Sequence, residues 1–210
     1  MCGRVASPIP TVETKPLLPT SVYAVTKRDQ EELCLSVGRS YHLPTVALRY
    51  FNVYGPRQAL SNPYTGVCAI FSARIKHGRS PIIFEDGAQS RDFTHVRDIV
   101  QANLLVMQDA RADYGAFNVG TGRAVSIARI AHVLAELYEQ PVQPDITAKF
   151  RAGDIRHCAA DISALQALGY SPSIALEEGL RELVEWGKQV QAEDRVEAAA
   201  KELEARGLTQ

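Results

Sequence analysis

The sequence predicts an α/β protein built on a parallel sheet. Three observations carry this: short apolar runs that read as buried strands, segments of helical period between them, and turn-rich joints that are too brief for separate elements. With 210 residues, 46% of them apolar and 22% charged, the chain suits one or two domains with a sizeable core. Its net charge of −1 argues against a broad nucleic-acid-binding surface, while leaving room for local phosphate sites. The four cysteines, at 2, 34, 68 and 158, have no paired spacing. Neither a disulfide framework nor a metal site is expected, and reduced thiols point to a cytoplasmic location. No apolar run reaches membrane-spanning length, and nothing signal-like follows Met1-Cys2-Gly3-Arg4.

The first twenty residues, with prolines at 8, 10, 16 and 19, form a lead-in with no evident element. A helix follows from about Tyr23 to Tyr41, marked by Leu33, Val37 and Tyr41 at helical spacing and stopped by His42-Leu43-Pro44. Thr45–Phe51 then reads as a buried strand, and helix, turn and apolar strand together make half of a parallel α/β unit. From Asn52 the chain is expected to leave the sheet into a polar loop ending near Gly66. Helices are predicted over Val67–Lys76, stopped by Gly78, and over Arg97–Ala110, with a strand at Pro81–Phe84 and a turn at Glu85-Asp86-Gly87. Ala116–Gly120 reads as a strand. Ser126 caps a helix whose inner face is Ile127, Ile130, Ala131, Leu134 and Leu137. A strand at Ile146–Phe150, a short helix ending at Gly169, an amphipathic helix from Leu176 to Val190 and a Glu/Ala-rich tail helix over 192–206 complete the chain.

Chemistry concentrates at Tyr23-x-x-x-Lys27. An i, i+4 pair lies on one helical face, so phenol and ammonium share a site. A nearby cation favours phenolate, which equips a tyrosine to act as a base near neutrality. Standing alone, the spacing equally describes a surface tyrosine beside a solvated lysine. The strand exit at Asn52 is a candidate site wall, because sites in open α/β sheets lie at the carboxyl ends of strands. His95 and Asp98 read as structural residues at a helix start.

Five stretches fall in one order over most of residues 13–190: Tyr23-x-x-x-Lys27, Leu48–Arg57, Ser90-Arg91-Asp92-Phe93-Thr94-His95-Val96-x-Asp98, Phe117–Gly122 and Arg151-x-Gly153-Asp154. Together they resemble the extended short-chain dehydrogenase/reductase family, specifically its NAD-dependent nucleotide-sugar epimerases and dehydratases. Glu13–Thr20 and Arg57–Tyr64 are most similar to bacterial dTDP-L-rhamnose 4-epimerases. The resemblance implies a partial doubly wound Rossmann-type parallel sheet plus a smaller α/β nucleotide-sugar-binding domain. On that pattern residues 1–53 and 94–120 belong to the NAD-binding domain, 54–93 and 121–190 to the substrate domain, and 191–210 to a helical tail. The family's opening strand–Gly-rich turn–helix has no counterpart in these 210 residues, and Gly120-Thr121-Gly122 lies too late to serve. An N-terminally truncated chain, inactive alone, is therefore expected.

By the same resemblance Tyr23 is the base at the sugar 4-hydroxyl, Lys27 meets the nicotinamide ribose, and Tyr50, Phe51 and Val53 face the cofactor. Asn52, Thr65, Val67, Phe84, Arg91, Arg151 and Asp154 contact the nucleotide-sugar. The arginines suit the diphosphate and ribose because a guanidinium fork matches phosphate oxygens; Thr65 reads equally well as a helix cap. Alternatives within this frame are a 4,6-dehydratase or a non-catalytic nucleotide-sugar-binding remnant. A homodimer through the Tyr23 helix is also implied.

Overall fold

The computed structural model describes residues 9–61, 66–147, 155–191 and 194. Thr65, Arg151, Asp154, the expected tail helix and the end of the Ile146–Phe150 strand lie outside these residues. Helix α1 (Val22–Ser40) starts where Ser21 Oγ accepts the Ala24 N–H at 3.1 Å, which satisfies one of the free first-turn donors. After it come β1 (Ala47–Tyr50), β2 (Asn52–Tyr54), α2 (Val67–Lys76), β3 (Ile82–Ile83), β4 (Ser90–Arg91) and β5 (Phe93–His95). The chain continues through α3 (Val96–Gln108), β6 (Ala116–Val119), β7 (Val125–Ser126), α4 (Ile127–Leu137), β8 (Asp145–Ile146), β9 (His157–Cys158), α5 (Ser163–Gln166) and α6 (Leu176–Gln189).

Parallel pairing dominates, as the α/β pattern predicts. β1 pairs with β6, β2 with β5 and β3 with β8, all parallel, while β4 lies between antiparallel β7 and parallel β9. The lead-in is not featureless, since Thr11 bridges to Ala160.

Two expectations are corrected. The strand does not exit at Asn52. It breaks at Phe51 only to change partners: the Phe51 N–H donates to Val119 O (3.1 Å), and the Asn52 N–H to Asp92 O (2.9 Å). Asn52-Val53-Tyr54 then continues as a strand against Phe93-Thr94-His95, which gives its backbone groups partners that a loop would have left to solvent. The second correction concerns α1. Leu33, Val37 and Tyr41 face solvent, and the inward side is Ala24, Arg28, Glu31, Leu35 and Gly38. Helix and strand meet most closely at Gly38, where an added Cβ would lie 2.7 Å from Thr45 Cβ. The smallest residue, not the bulkiest apolar ones, sets the face that turns inward.

Two cores form. In one, α2, α4 and α6 bury Ala69, Ile75, Ile130, Leu134, Leu180 and Leu183. In the other, α3 and α5 cover β6 with Ile99, Ala102, Val106, Val119, Leu165 and Tyr170. Lys76 of α2 joins α6 by donating to the carbonyls of Gly187 (2.8 Å) and Val190 (2.6 Å), a cation at the negative end of a helix. Among the described residues β1 has β6 as its sole strand neighbour. Along β1 runs a groove of about 380 Å³, lined by Val46, Leu48, Tyr50, Asn103, Val106 and Met107.

The first core reaches the strands at one tight joint. Gly179 of α6 lies against the buried rings of Tyr54 and His95, themselves packed edge to face at 5.4 Å. Alanine there gains about 1 kcal/mol in helix propensity but places Cβ 2.9 Å from His95 Cδ2, and overpacking a rigid site costs about 1–3 kcal/mol. Gly179→Ala is expected to destabilise the fold by about 1–2 kcal/mol in urea unfolding. An unchanged or raised midpoint would show that the joint yields.

Candidate active site

Tyr23 and Lys27 stand on one exposed side of α1, with Lys27 Nζ 5.7 Å from the Tyr23 ring centroid. The ammonium also donates to Gln30 Oε1 at 3.2 Å. Burial pushes the phenols of Tyr54, Tyr138 and Tyr170 upward, away from any role as a base near neutrality. Tyr23, with 71% of its surface accessible, is open to a reacting group.

Strand β1 carries Tyr50 to its end, where the phenol donates to Asn103 Oδ1 of α3 at 2.9 Å. Phe51 and Val53 are half-buried and pack on the second core. Asn52 is half-buried between them, fixed to Asp92 by its N–H. Val67 opens α2, and its N-cap Gly66 contributes no side chain to the first-turn N–H groups. An added Cβ on Gly66 would lie 3.8 Å from Val53 O, so the helix start adjoins β2. Arg91 is half-buried in β4 and donates to the carbonyls of Ser90 (2.9 Å) and Arg156 (3.1 Å). Its charge opposes, without cancelling, the burial that raises the Cys158 thiol beside it. Phe84 is half-buried, and its carbonyl accepts from Gln89 Nε2 at 2.8 Å. The structure thus brings Asn52 and, through Gly66, Val67 together at β2, while Arg91 lies on β4, one residue before the Asp92 carbonyl that holds Asn52. Phe84 stands apart, before the turn into β4.

Two carboxylates whose partners lie far along the chain hold this arrangement. The carboxylate of Asp92 accepts from Thr121 N (2.8 Å), Thr121 Oγ1 (2.7 Å), Gly122 N (2.9 Å) and Ala160 N (3.2 Å). Asp98 serves not its own helix start but Ser173 N (2.9 Å) and Ile174 N (3.3 Å). Arg49, a charge inside an apolar strand, is the signal that sequence offers for a paired buried site. Among the described residues no three His, Cys, Asp or Glu side chains converge as metal ligands.

Parallel strands with Tyr and Lys one turn apart on the helix before β1 define a Rossmann-type α/β fold. The family model described as NAD dependent epimerase/dehydratase matches residues 1–120, and the chain belongs to that family. It is 38% identical over 169 residues to the dTDP-L-rhamnose 4-epimerase of Burkholderia thailandensis, covering 80% of this chain and 46% of that protein. Among solved structures it is similar to the UDP-N-acetylglucosamine 4-epimerase of Methanobrevibacter ruminantium in complex with UDP-N-acetylmuramic acid. That likeness has 40% identity and a TM-score of 0.79, over 86% of this chain and 58% of the other. The Thermus thermophilus UDP-glucose 4-epimerase complex with NAD matches at 31% identity and a TM-score of 0.79, over 90% of this chain and 61% of that one. The chain therefore spans about half the length of the curated relative it matches.

The residues present fit one end of NAD. Tyr23 and Lys27 offer an exposed phenol and ammonium together, suited to a ribose and the sugar beside it. Among the described residues no Gly-rich turn of the kind that takes a pyrophosphate opens a helix.

Behind β2, His95 is buried with its Nδ1 accepting the Arg97 N–H at 3.3 Å, so the neutral ring carries its proton on Nε2. Burial holds the imidazole below its ordinary value; Glu182, 3.5 Å from Nε2, opposes this, Arg97 adds to it, and Asp98 and Glu178 oppose it from further off. As pH falls through about 6.5 the unfolded chain takes a proton that the fold resists, so stability is lost on acidification. The drop in urea midpoint between pH 7.5 and 5.5 is expected to be smaller in His95→Asn, which keeps a capping acceptor. An equal drop in both proteins would assign the acid sensitivity elsewhere.

Proposed function

We propose that this chain supplies the base and the substrate-binding part of an NAD-dependent nucleotide-sugar 4-epimerase, with a dTDP-linked 6-deoxyhexose such as dTDP-L-rhamnose as substrate. One observation carries the reading: Tyr23 and Lys27 are exposed together on one side of α1, before a strand that ends in Tyr50-Phe51-Asn52. The 38% identity to a dTDP-L-rhamnose 4-epimerase supports the choice of sugar. We assign residues 1–53 and 94–120 to the cofactor side and 54–93 with 121–190 to the substrate side. Ala160–Tyr170 pack back on β6 in the second core.

In this reading Tyr23 removes the proton of the sugar 4-hydroxyl, and the Lys27 ammonium stabilises the phenolate while meeting the nicotinamide ribose. Bound NAD+ supplies the acceptor, and then the donor, of the hydride at C4. Asn52 holds the 4-keto sugar during its turnover, and Tyr23 returns the proton when the opposite face has been reduced. Tyr50, Phe51 and Val53 wall the cofactor side. Val67 at the start of α2, Phe84, Arg91, Thr65, Arg151 and Asp154 receive the nucleotide and diphosphate. Reduced Cys34, Cys68 and Cys158 fit a cytoplasmic setting.

The exposed stripe Leu33, Val37 and Tyr41 on α1 favours a homodimer, with the second copy's helix covering it. Periodicity that builds no internal core is then interface.

Two outcomes are expected. In an enzyme joining this chain to the nucleotide-binding half of a family member, Tyr23→Phe abolishes turnover and leaves nucleotide-sugar affinity nearly unchanged, because a proton-transfer group acts in the transition state. Turnover within about tenfold of the parent would sink the assignment. A polypeptide of residues 1–210 alone gives no saturable signal on titration with NAD+ and self-associates through its bare β1 edge and α1 stripe. A monodisperse sample that binds NAD+ at micromolar concentration would overturn this.

A further inference from the structure

The half of α1 that carries Tyr23 and Lys27 buries no residue; its two buried positions, Leu35 and Gly38, lie toward the other end. What fixes the reactive half over the sheet is a guanidinium. Arg49 of β1 grips Glu31 with two bonds, Nε to Oε2 at 2.8 Å and Nη2 to Oε1 at 2.6 Å. Its Nη1 donates to the Glu13 carbonyl at 2.9 Å, and the Glu13 carboxylate accepts the N–H of Asn118 at 2.9 Å. Asn118 is the register partner of Arg49 on β6. Lead-in, helix and both strands are thus fastened at one side chain, whose planar fork fixes direction as well as distance.

Glu31 stands one turn beyond Lys27, the spacing at which glutamate and lysine pair on a helix. Its carboxylate instead faces Arg49, while Lys27 donates to Gln30. We propose that Arg49 is a positioning residue for the Tyr23–Lys27 pair, acting through Glu31. It holds the reactive half of α1 in place and keeps the Glu31 carboxylate from neutralising Lys27. This rests on the reading of Tyr23 and Lys27 given above.

Removing only the arginine leaves a half-buried carboxylate unpaired and free to turn to Lys27, whereas neutralising both partners removes the conflict. In the joined enzyme Arg49→Met is expected to lower kcat by about tenfold or more, with KM for the nucleotide-sugar within about threefold. Arg49→Lys recovers part of that loss, and adding Glu31→Gln to Arg49→Met also recovers part, a coupling read from the double-mutant cycle. In the same joined enzyme, amide hydrogen exchange over Ala24–Glu31 is expected to quicken by about tenfold in Arg49→Met, while Leu35–Gly38 keeps its rate. The proposal is overturned if kcat of Arg49→Met stays within about twofold, if Glu31→Gln deepens the defect, or if exchange over Ala24–Glu31 is unchanged. An active Tyr23→Phe enzyme would instead defeat the functional reading, and the exchange measurement would still decide whether Arg49 holds the helix.

Discussion

A carboxylate shut away from solvent holds the centre of this fold. Asp92 is fully buried between β4 and β5 and accepts four hydrogen bonds, from Thr121 N and Oγ1, Gly122 N and Ala160 N. Burying such a group without partners costs several kcal/mol, and each donor left without it would cost about 1–3 kcal/mol more. Its backbone carbonyl meanwhile takes the Asn52 N–H, so one residue ties β2, the β4–β5 kink, the turn after β6 and the segment leading to α5. This explains Gly120-Thr121-Gly122. An added Cβ on Gly120 would lie 2.6 Å from Asp92 Oδ2, and Gly122 takes a φ of +73°. The glycines make a cradle for a carboxylate of the protein itself.

The two ends of the site contrast in how they are secured. Arg91 sits on β4, paired on both edges, and Asn52 on β2, paired with β5, next to a core closed by α2, α4 and α6. Tyr23 and Lys27 sit on a helix with an outward apolar stripe, over β1, which among the described residues pairs with β6 alone. On the proposed roles, the groups for the substrate rest beside a packed core, while those for the cofactor depend on ion pairing. A single helix–strand layer buries too little to hold a long helix by itself, which is why so few residues of α1 are buried.

Much of the fold was legible in the sequence because its longer elements carry their own signals. Val67–Lys76 and the Ser126 cap were read correctly from apolar period and punctuation, and Leu176–Gln189 closely so. The partner change at Phe51 left no trace, since alternation continues across it. The two-residue strands β7 and β9 have no period at all. On α1 the apolar repeat was genuine but faces outward, because burial there is decided by Gly38 and by an ion pair. The order of motifs outlined the site, but not its supports. Asp92 finds its acceptor role with residues 29 to 68 positions away, and Arg49 meets Glu31 and Glu13 at 18 and 36 positions. Pairings at such separations have no local pattern.

Those supports fall next to the residues proposed for chemistry, and this placement has a physical reason. Arg49 is three residues before Asn52, across the break at Phe51, and Asp92 directly follows Arg91. Misplacing a base by about 1 Å relative to its substrate can cost two orders of magnitude in rate, so the separation of base and substrate groups has to be set by stiff elements. Here the path from base to substrate runs from Tyr23 along α1 to Glu31, across to Arg49, up the strand to Asn52, and through Asp92 to Arg91. Each non-covalent step uses a charged side chain or a backbone bond, and the covalent steps run within α1 or along the strand segments that Phe51 and Asp92 join. Among the described residues a loop meets this path at the outer rim, where α2 begins after Gly66. On the proposed roles, a site so arranged holds the base and the substrate groups on the same stiff elements.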